Sequence, residues 1–171
     1  MAFPRPPSLQ QWCPPTPDIF KVNFNAAIFQ SSNLAGLDVI VCDSSGAAIG
    51  ALSVPISLGC SVAELEALVC LRAVQFALEI GLTRVVLKGD SAAVIDALWH
   101  GSGELTSYEN VLDDIRVQVS VFQFFYFNLV SRLCNFIADA LAKKASSVVG
   151  LQVWLGDIPA DIAPLVFRDV H

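Results

Sequence analysis

The sequence predicts an α/β domain built on a mixed β-sheet, and two features of the chain predict it. Residues 20–55 contain three strand-like stretches in succession, whereas residues 61–148 alternate helix-like and strand-like stretches. Consecutive strands followed by such an alternation imply a mixed sheet with helices on its faces. The chain of 171 residues suits one domain and is long enough to bury a full hydrophobic core.

The first predicted strand covers residues 20–29, "FKVNFNAAIF", and its side chains alternate between two faces. This period of two is typical of a half-buried strand. The apolar face carries Val22, Phe24, Ala26 and Ile28, and the other face carries Lys21, Asn23, Asn25 and Ala27. The next stretch, "GLDVIVCDSSGAAIGALSVP", predicts two strands around a tight turn at "DSSG", because Asp, Ser and Gly suit turns. The first three strands are therefore predicted to be antiparallel.

The clearest helix is predicted in "SVAELEALVCLRAVQFALEIG", where leucine and valine recur at helical spacing. Ser61 is suited to cap its N-terminus, and Gly81 is suited to end it. The short apolar stretch "RVVLKGD" predicts a strand, and a second helix is predicted from about Ser91 to Trp99. This order predicts a βαβ-like unit.

The remaining elements follow the loop "GSGELTS": a third helix in "YENVLDDIRVQVSV", an aromatic strand in "FQFFYFNLV" and a last helix in "NFIADALAKKASSV". Core packing is favoured for the aromatic strand over a base-stacking platform. Five prolines precede Thr16, so residues 1–18 are expected to form a linker or strap. Residues 19–149 are the predicted domain, and residues 150–171 are a C-terminal extension expected to pack on it as an extended strap.

Composition excludes several classes of protein. Apolar residues make up 54% of the chain and charged residues 15%, which argues against disorder. Charged or polar residues interrupt every apolar stretch before the roughly 20 residues of a membrane-spanning helix. The N-terminus lacks the apolar segment of a signal peptide, and the five cysteines form no CxxC pair. We therefore expect an intracellular protein, nuclear or cytoplasmic, with no membrane partner.

The charge distribution argues against tight binding of nucleic acid. The formal net charge is −6, and the ten basic residues never cluster beyond a pair. A nucleic-acid binder usually carries a basic stripe. Arg132 and the pair Lys143 and Lys144 could contact phosphates, but two cations near a helix C-terminus more often complement the helix dipole.

Three acidic residues occupy positions where α/β sheets build sites, namely helix first turns and the ends of strands. Glu64 lies in the first turn of the long helix, Asp90 ends a strand and Asp139 lies in the last helix. Each also has a plain structural explanation. Glu64 completes a capping box with Ser61, Asp90 could cap the helix that follows it, and Asp139 could be a solvent-exposed helix residue.

Together, four short motifs in this order resemble the ribonuclease H family, in particular plant ribonuclease H-like domains associated with reverse transcriptases and retroelements. The motifs are "NFNA" at residues 23–26, "AELEAL" at 63–68, "GDS" at 89–91 and "NFIADALA" at 135–142. The resemblance implies a ribonuclease H-like fold, a five-stranded mixed sheet whose first three strands are antiparallel, with helices on both faces. It also implies hydrolysis of the RNA strand of an RNA–DNA hybrid with two Mg²⁺ or Mn²⁺ ions.

By this resemblance Glu64, Asp90 and Asp139 are the catalytic, metal-binding carboxylates, and the fourth position, usually an Asp, is Asn25. An amide lacks the negative charge and the second oxygen with which a carboxylate bridges two cations. Weak or absent cleavage is therefore predicted. The pattern places none of the other acids at position 25; those considered were Asp18, Asp38, Asp43, Asp96 and Glu66.

Further departures from the family pattern indicate the same loss. Ala26 replaces a usual Gly, Leu129 replaces a common His, and Leu133 and Cys134 replace a Glu-Gly pair. Losing polar groups there would remove options for positioning and proton transfer. The alternative hypotheses are a non-catalytic module that binds nucleic acid, expected to be weak at this net charge, and a protein-interaction domain derived from a retroelement.

Overall fold

The computed structural model of the protein describes residues 19–29, 33–57, 59, 61–101, 108–130 and 152–155. Within them the chain forms six strands and three helices. In chain order these are β1 (Phe20–Phe29), β2 (Leu34–Cys42), β3 (Ala48–Ser57), α1 (Val62–Glu79), β4 (Arg84–Gly89), α2 (Ala92–His100), α3 (Glu109–Val119), β5 (Phe124–Leu129) and β6 (Gln152–Leu155). None of these helices combines the length and the apolar character needed to cross a membrane.

The strands form one mixed sheet in the order β5-β4-β1-β2-β3-β6. β1, β2 and β3 are antiparallel neighbours, whereas β4 lies parallel to β1 and β5 lies parallel to β4. The predicted mixed sheet with three antiparallel strands first is confirmed. The sixth strand was not predicted: residues 152–155 pair antiparallel with β3, within the stretch that was expected to be a strap.

One face of the sheet packs against the described helices. Side chains from alternate positions of β1, including Val22 and Phe24, share a single hydrophobic core with residues of α1, α2 and α3. The aromatic strand also packs inward as predicted, because Phe125 stacks on Trp99 of α2 at 6.5 Å between ring centroids and Phe127 meets the same ring edge-on at 5.7 Å. The last predicted helix lies outside the described residues.

The predicted start of α1 and the predicted turn between β2 and β3 are both stabilised by side-chain hydrogen bonds. Ser61 Oγ accepts a hydrogen bond from Glu64 N at 3.2 Å and so caps α1. The turn between β2 and β3 is built on Asp43, whose carboxylate accepts bonds from Ser45 Oγ at 2.6 Å, Ser45 N at 2.9 Å and Ala47 N at 3.0 Å. These bonds, that from the Ser45 hydroxyl above all, hold the pKa of Asp43 below its ordinary value.

The opposite face of the sheet, called the second face here, holds the residues of β1 that alternate with Val22 and Phe24. Strand alternation and register place Lys21, Asn23 and Asn25 there. Ile19 packs beside Val86 and Tyr126 in a small separate cluster on this face. The four buried polar side chains of the described residues also belong to it: Asn23, Asn25, Asp38 and Ser53.

Candidate active site

Asn25 occupies the middle of the sheet. It lies on β1, which has β4 on one side and β2 on the other, and its side chain is only 1% exposed. A polar side chain buried at the centre of a sheet is costly unless a neighbouring group or a ligand compensates it. Asn25 is therefore a buried amide in the middle of the sheet, a position that calls for a compensating neighbour or ligand.

Gly89 fixes the end of β4 against β1. A Cβ atom built on Gly89 would lie 2.5 Å from both Cε2 and Cζ of the Phe24 ring, a distance that no side chain tolerates. Phe24 is 1% exposed and has little room to move. Only glycine therefore permits this approach of the two strands, which explains the residue before Asp90 in the "GDS" motif.

The approach of these strands sets where β4 ends along β1. The parallel register pairs Asn23 with Lys88, and Asp90 follows directly after Gly89, the last residue of β4, so Asn25 and Asp90 both lie just beyond the paired stretch of the two strands. Parallel strands end at one edge of a sheet, where α/β proteins gather their functional groups. Two of the four predicted positions thus lie on neighbouring strands, near the point where β4 ends.

Asp90 does not cap the helix that follows it. Ser91 is the capping residue of α2, because its Oγ accepts a hydrogen bond from Val94 N at 3.4 Å. Among the described residues, no hydrogen bond or ion pair to the Asp90 carboxylate is found. The suggestion that Asp90 serves as the helix cap is wrong, and its carboxylate stays available at the strand end.

An open pocket of about 530 Å³ lies beside Asp90. Its described lining comes from the start of α1, the start of α2 and the end of β5 and consists of Val62, Glu66, Asp90, Ser91, Ala92, Leu129 and Val130. The carboxylates among these residues belong to Asp90 and Glu66. Leu129, which is 48% exposed, gives the pocket an apolar wall.

Glu66 was one of the acids that the sequence pattern did not place at position 25, and it lies two residues after Glu64, on a different face of the helix. The structure shows that its face is the one that reaches the pocket, one helical turn after Val62. Glu66 is partly buried and lies one helical turn before the buried Cys70. Burial raises the pKa of the Cys70 thiol, and the negative charge of Glu66 raises it further. The i, i+4 spacing of Val62, Glu66 and Cys70 is the sequence signal that could have identified this face.

Glu64 lies half-buried in the first turn of α1, as predicted. Its backbone N–H donates to Ser61, but the described hydrogen bonds do not include the return bond from Ser61 N to the Glu64 carboxylate. The capping box is therefore half-formed, and capping does not engage this carboxylate. Asp139 lies outside the described residues, as do Arg132, Lys143 and Lys144.

Asp38 is a neighbour of Asn25 that the sequence did not place. It lies directly opposite Asn25 in the antiparallel register of β1 and β2, and its side chain is 0% exposed. On its other side it pairs with Ser53 of β3, which is also fully buried. Asn25, Asp38 and Ser53 form a line across three strands on the second face, here called the polar row. A charged residue inside the apolar strand "LAGLDVIVC" was the available signal.

Comparison with known proteins identifies the family. The sequence profile of the family described as reverse transcriptase-like matches residues 23–145, which include all four motifs. The chain belongs to this family. No curated protein matches the chain closely enough to count as a relative.

Solved structures show that the reverse transcriptase-like domain has the ribonuclease H fold. RNase H1 of the archaeon Halobacterium salinarum superposes with a TM-score of 0.66 at 21% identity, covering 75% of this chain and 98% of the other. The N-terminal RNase H domain of a Mycobacterium tuberculosis protein gives 0.66 at 17% identity, covering 75% and 94%. LC11-RNase H1, solved in complex with an RNA/DNA hybrid, gives 0.65 at 16% identity, covering 74% and 95%. The predicted fold class is confirmed.

The described part of the reverse transcriptase-like domain does not by itself assemble a cation site. No three of its His, Cys, Asp and Glu residues lie close enough together to hold a metal ion. The central donor is the neutral amide of Asn25, which supplies no charge to a cation. Asp90 and Glu66 supply carboxylates at the pocket, and the carboxylate beside Asn25 is the fully buried Asp38.

Proposed function

We propose that this is a nucleic-acid domain of the RNA–DNA hybrid ribonuclease type in which metal-dependent cleavage is weak or absent. The observation that carries the proposal is the position of Asn25, which is buried in the middle of the sheet on the strand next to the one that ends before Asp90. In the ribonuclease H pattern an Asp at this position would supply a negatively charged metal ligand. The chain therefore keeps the framework of the site and lacks its central charge.

The missing charge matters because the proposed reaction brings two dications close together. At 4 Å, two dications repel each other by about 4 kcal/mol even at the dielectric constant of water, and by more inside a protein. Carboxylates offset this repulsion while binding the metals. With Asn25 in place, we propose Glu64, Asp90 and Asp139 as the remaining ligands of a weakened Mg²⁺ or Mn²⁺ site.

The shared fold supports a proposal for the substrate class. LC11-RNase H1 was solved with an RNA/DNA hybrid bound, and its fold covers most of this domain. We propose an RNA–DNA hybrid as the nucleic acid that this chain meets, with low affinity at a net charge of −6. A retroelement origin of the plant type accords with the motifs.

A protein-interaction domain without catalysis is the second candidate. The observation that favours it is a set of exposed apolar side chains near the end of α3 and the start of β5. Val117 is 69% exposed, Val121 is 70% exposed and Phe124 is 36% exposed. Large apolar groups outside a core are common at protein interfaces. This candidate predicts a co-purifying protein or a stable dimer, and no retention of the natural chain on hybrid at low salt.

A gel assay on a labelled RNA–DNA hybrid with Mn²⁺ tests the first proposal. The natural chain is expected to cut little or nothing, and Asn25→Asp is expected to cut measurably more. Adding Asp90→Asn to the Asn25→Asp variant is the matched control and is expected to remove the gain, because it neutralises one of the proposed metal ligands. An Asn25→Asp variant that folds and binds Mn²⁺ yet leaves the hybrid intact would refute the proposal.

A further inference from the structure

The pairing of Asn25 with Asp38 constrains the charge at both positions. Residues directly opposite each other on antiparallel strands have Cβ atoms roughly 4.5–5.5 Å apart and point to the same face. Asn25 and Asp38 are 1% and 0% exposed, so water does not separate or screen them. Two carboxylates in this position would repel each other strongly, or one would take up a proton at a cost in free energy.

We propose that Asp38 is the residue that keeps position 25 neutral. The polar row accommodates one buried carboxylate, and in this chain it is on β2 rather than on β1. Asp38 therefore acts as a positioning residue: it makes Asn25 the compatible partner and opposes a carboxylate at position 25. The effect of Asp38 on cleavage rests on the proposed function, whereas its effect on the stability of a carboxylate at position 25 does not.

The two neighbours of Asp38 in the polar row are neutral side chains. On one side Asn25 carries an amide with N–H donors, and on the other Ser53 carries a hydroxyl that can donate. Replacing the Asn25 amide by a carboxylate would remove its N–H donors and place a second group of acceptors beside Asp38. Among the described residues, Lys88 is a cation that the register places level with Asn23, two residues from Asn25 along β1.

The consequence is that Asn25→Asp alone restores the site only in part. Removing the charge of Asp38 at the same time is expected to relieve the repulsion and to let the new carboxylate at position 25 ionise. Recovering full metal binding and cleavage therefore requires two substitutions on neighbouring strands. A carboxylate at position 25 is coupled to Asp38 through the sheet, and this coupling can be measured without any substrate.

A double-mutant cycle in thermal unfolding tests the inference. Asn25→Asp is expected to lower the unfolding midpoint by about 5 °C when Asp38 is present, and by less than half of that in the Asp38→Asn background. Asn23→Asp is the matched control, because Asn23 is buried on the same strand and face but lies opposite Ile40. Its effect on the midpoint is expected to be similar in the two backgrounds.

Mn²⁺ binding by calorimetry supplies a second readout that a merely structural role of Asp38 would not move. The double variant Asn25→Asp/Asp38→Asn is expected to bind Mn²⁺ at least tenfold more tightly than Asn25→Asp. Equal midpoint losses for Asn25→Asp in both backgrounds would overturn the inference. If Asn25→Asp does not fold, a folded double variant supports the inference, and a double variant that also fails to fold overturns it.

The outcomes separate this inference from the proposed function. Strong coupling in unfolding, in variants that bind Mn²⁺ but never cut the hybrid, would leave the inference standing and refute the hybrid ribonuclease. Full cleavage of the hybrid by Asn25→Asp, with no coupling to position 38 in unfolding, would support the hybrid ribonuclease and overturn this inference.

Discussion

Replacing Gly89 by alanine tests the close contact between the end of β4 and Phe24 of β1. The new methyl group would lie 2.5 Å from two carbons of the Phe24 ring, well inside the usual contact distance between carbon atoms. Because Phe24 is 1% exposed and packed in the main core, the ring cannot swing into solvent. Relief must come from a shift of β4 or of the core around Phe24.

The expected cost is about 2 kcal/mol, within the range measured for extra methyl groups forced into packed cores. For a domain of this size, that corresponds to a fall of roughly 4–8 °C in the unfolding midpoint. Urea unfolding followed by circular dichroism measures the free energy directly. Gly59→Ala is the matched control, because a Cβ at Gly59 meets nothing within 4 Å.

A second variant shows whether the ring is the cause. Phe24→Leu removes the outer ring carbons, so the penalty of Gly89→Ala should shrink when both substitutions are combined. If Gly89→Ala destabilises the protein no more than Gly59→Ala, or if Phe24→Leu does not reduce its effect, the role assigned to this contact is refuted.

Two further predictions concern other parts of the fold. Arg116 joins α3 to α2, because its guanidinium donates to Glu109 at 3.2 Å, to Asp113 at 2.9 Å and to the carbonyl of Ala97 at 2.8 Å. Arg116→Met is expected to lower the free energy of unfolding by about 1–3 kcal/mol. An unchanged midpoint of urea unfolding would contradict this expectation. The hydrogen bonds in the β2–β3 turn lower the pKa of Asp43 in the folded protein. They therefore stabilise the fold fully at pH values above about 3.9, the pKa of Asp in an unfolded chain. This stabilisation is lost as the pH falls through the lower pKa of the folded protein. The stability difference between the natural chain and Asp43→Ala, measured by urea unfolding, should therefore be larger at pH 6 than at pH 3, and a constant difference would show that the carboxylate charge is not involved.

The main elements of the fold were predictable because their signals are local. The alternation of Val22 and Phe24 with Asn23 and Asn25 identified both the strand and its two faces, and Ser61 marked the start of α1. The sixth strand was missed because "QVWL" is too short to show a period, and its pairing with β3 is a long-range contact.

The candidate site was predictable only in part, for a physical reason. Motif order located Asn25, Glu64 and Asp90 along the chain, but it did not determine which side chains meet. Asp38 comes to lie opposite Asn25 through the register of β1 and β2, and register depends on how the two strands pair rather than on either sequence alone. Likewise Ser91, not Asp90, caps α2, a difference of one residue that local sequence leaves open.

The short sixth strand also determines where the chain can be shortened. β6 covers the outer edge of β3, pairing residues 50–53 with residues 152–155, whereas the matched family span ends at residue 145. A protein cut back to that span would leave this edge of β3 with open backbone N–H and C=O groups, and such an edge is a template for a strand of another molecule. Preparations trimmed to the family boundary are therefore expected to self-associate, and solubility depends on residues that the family pattern does not contain.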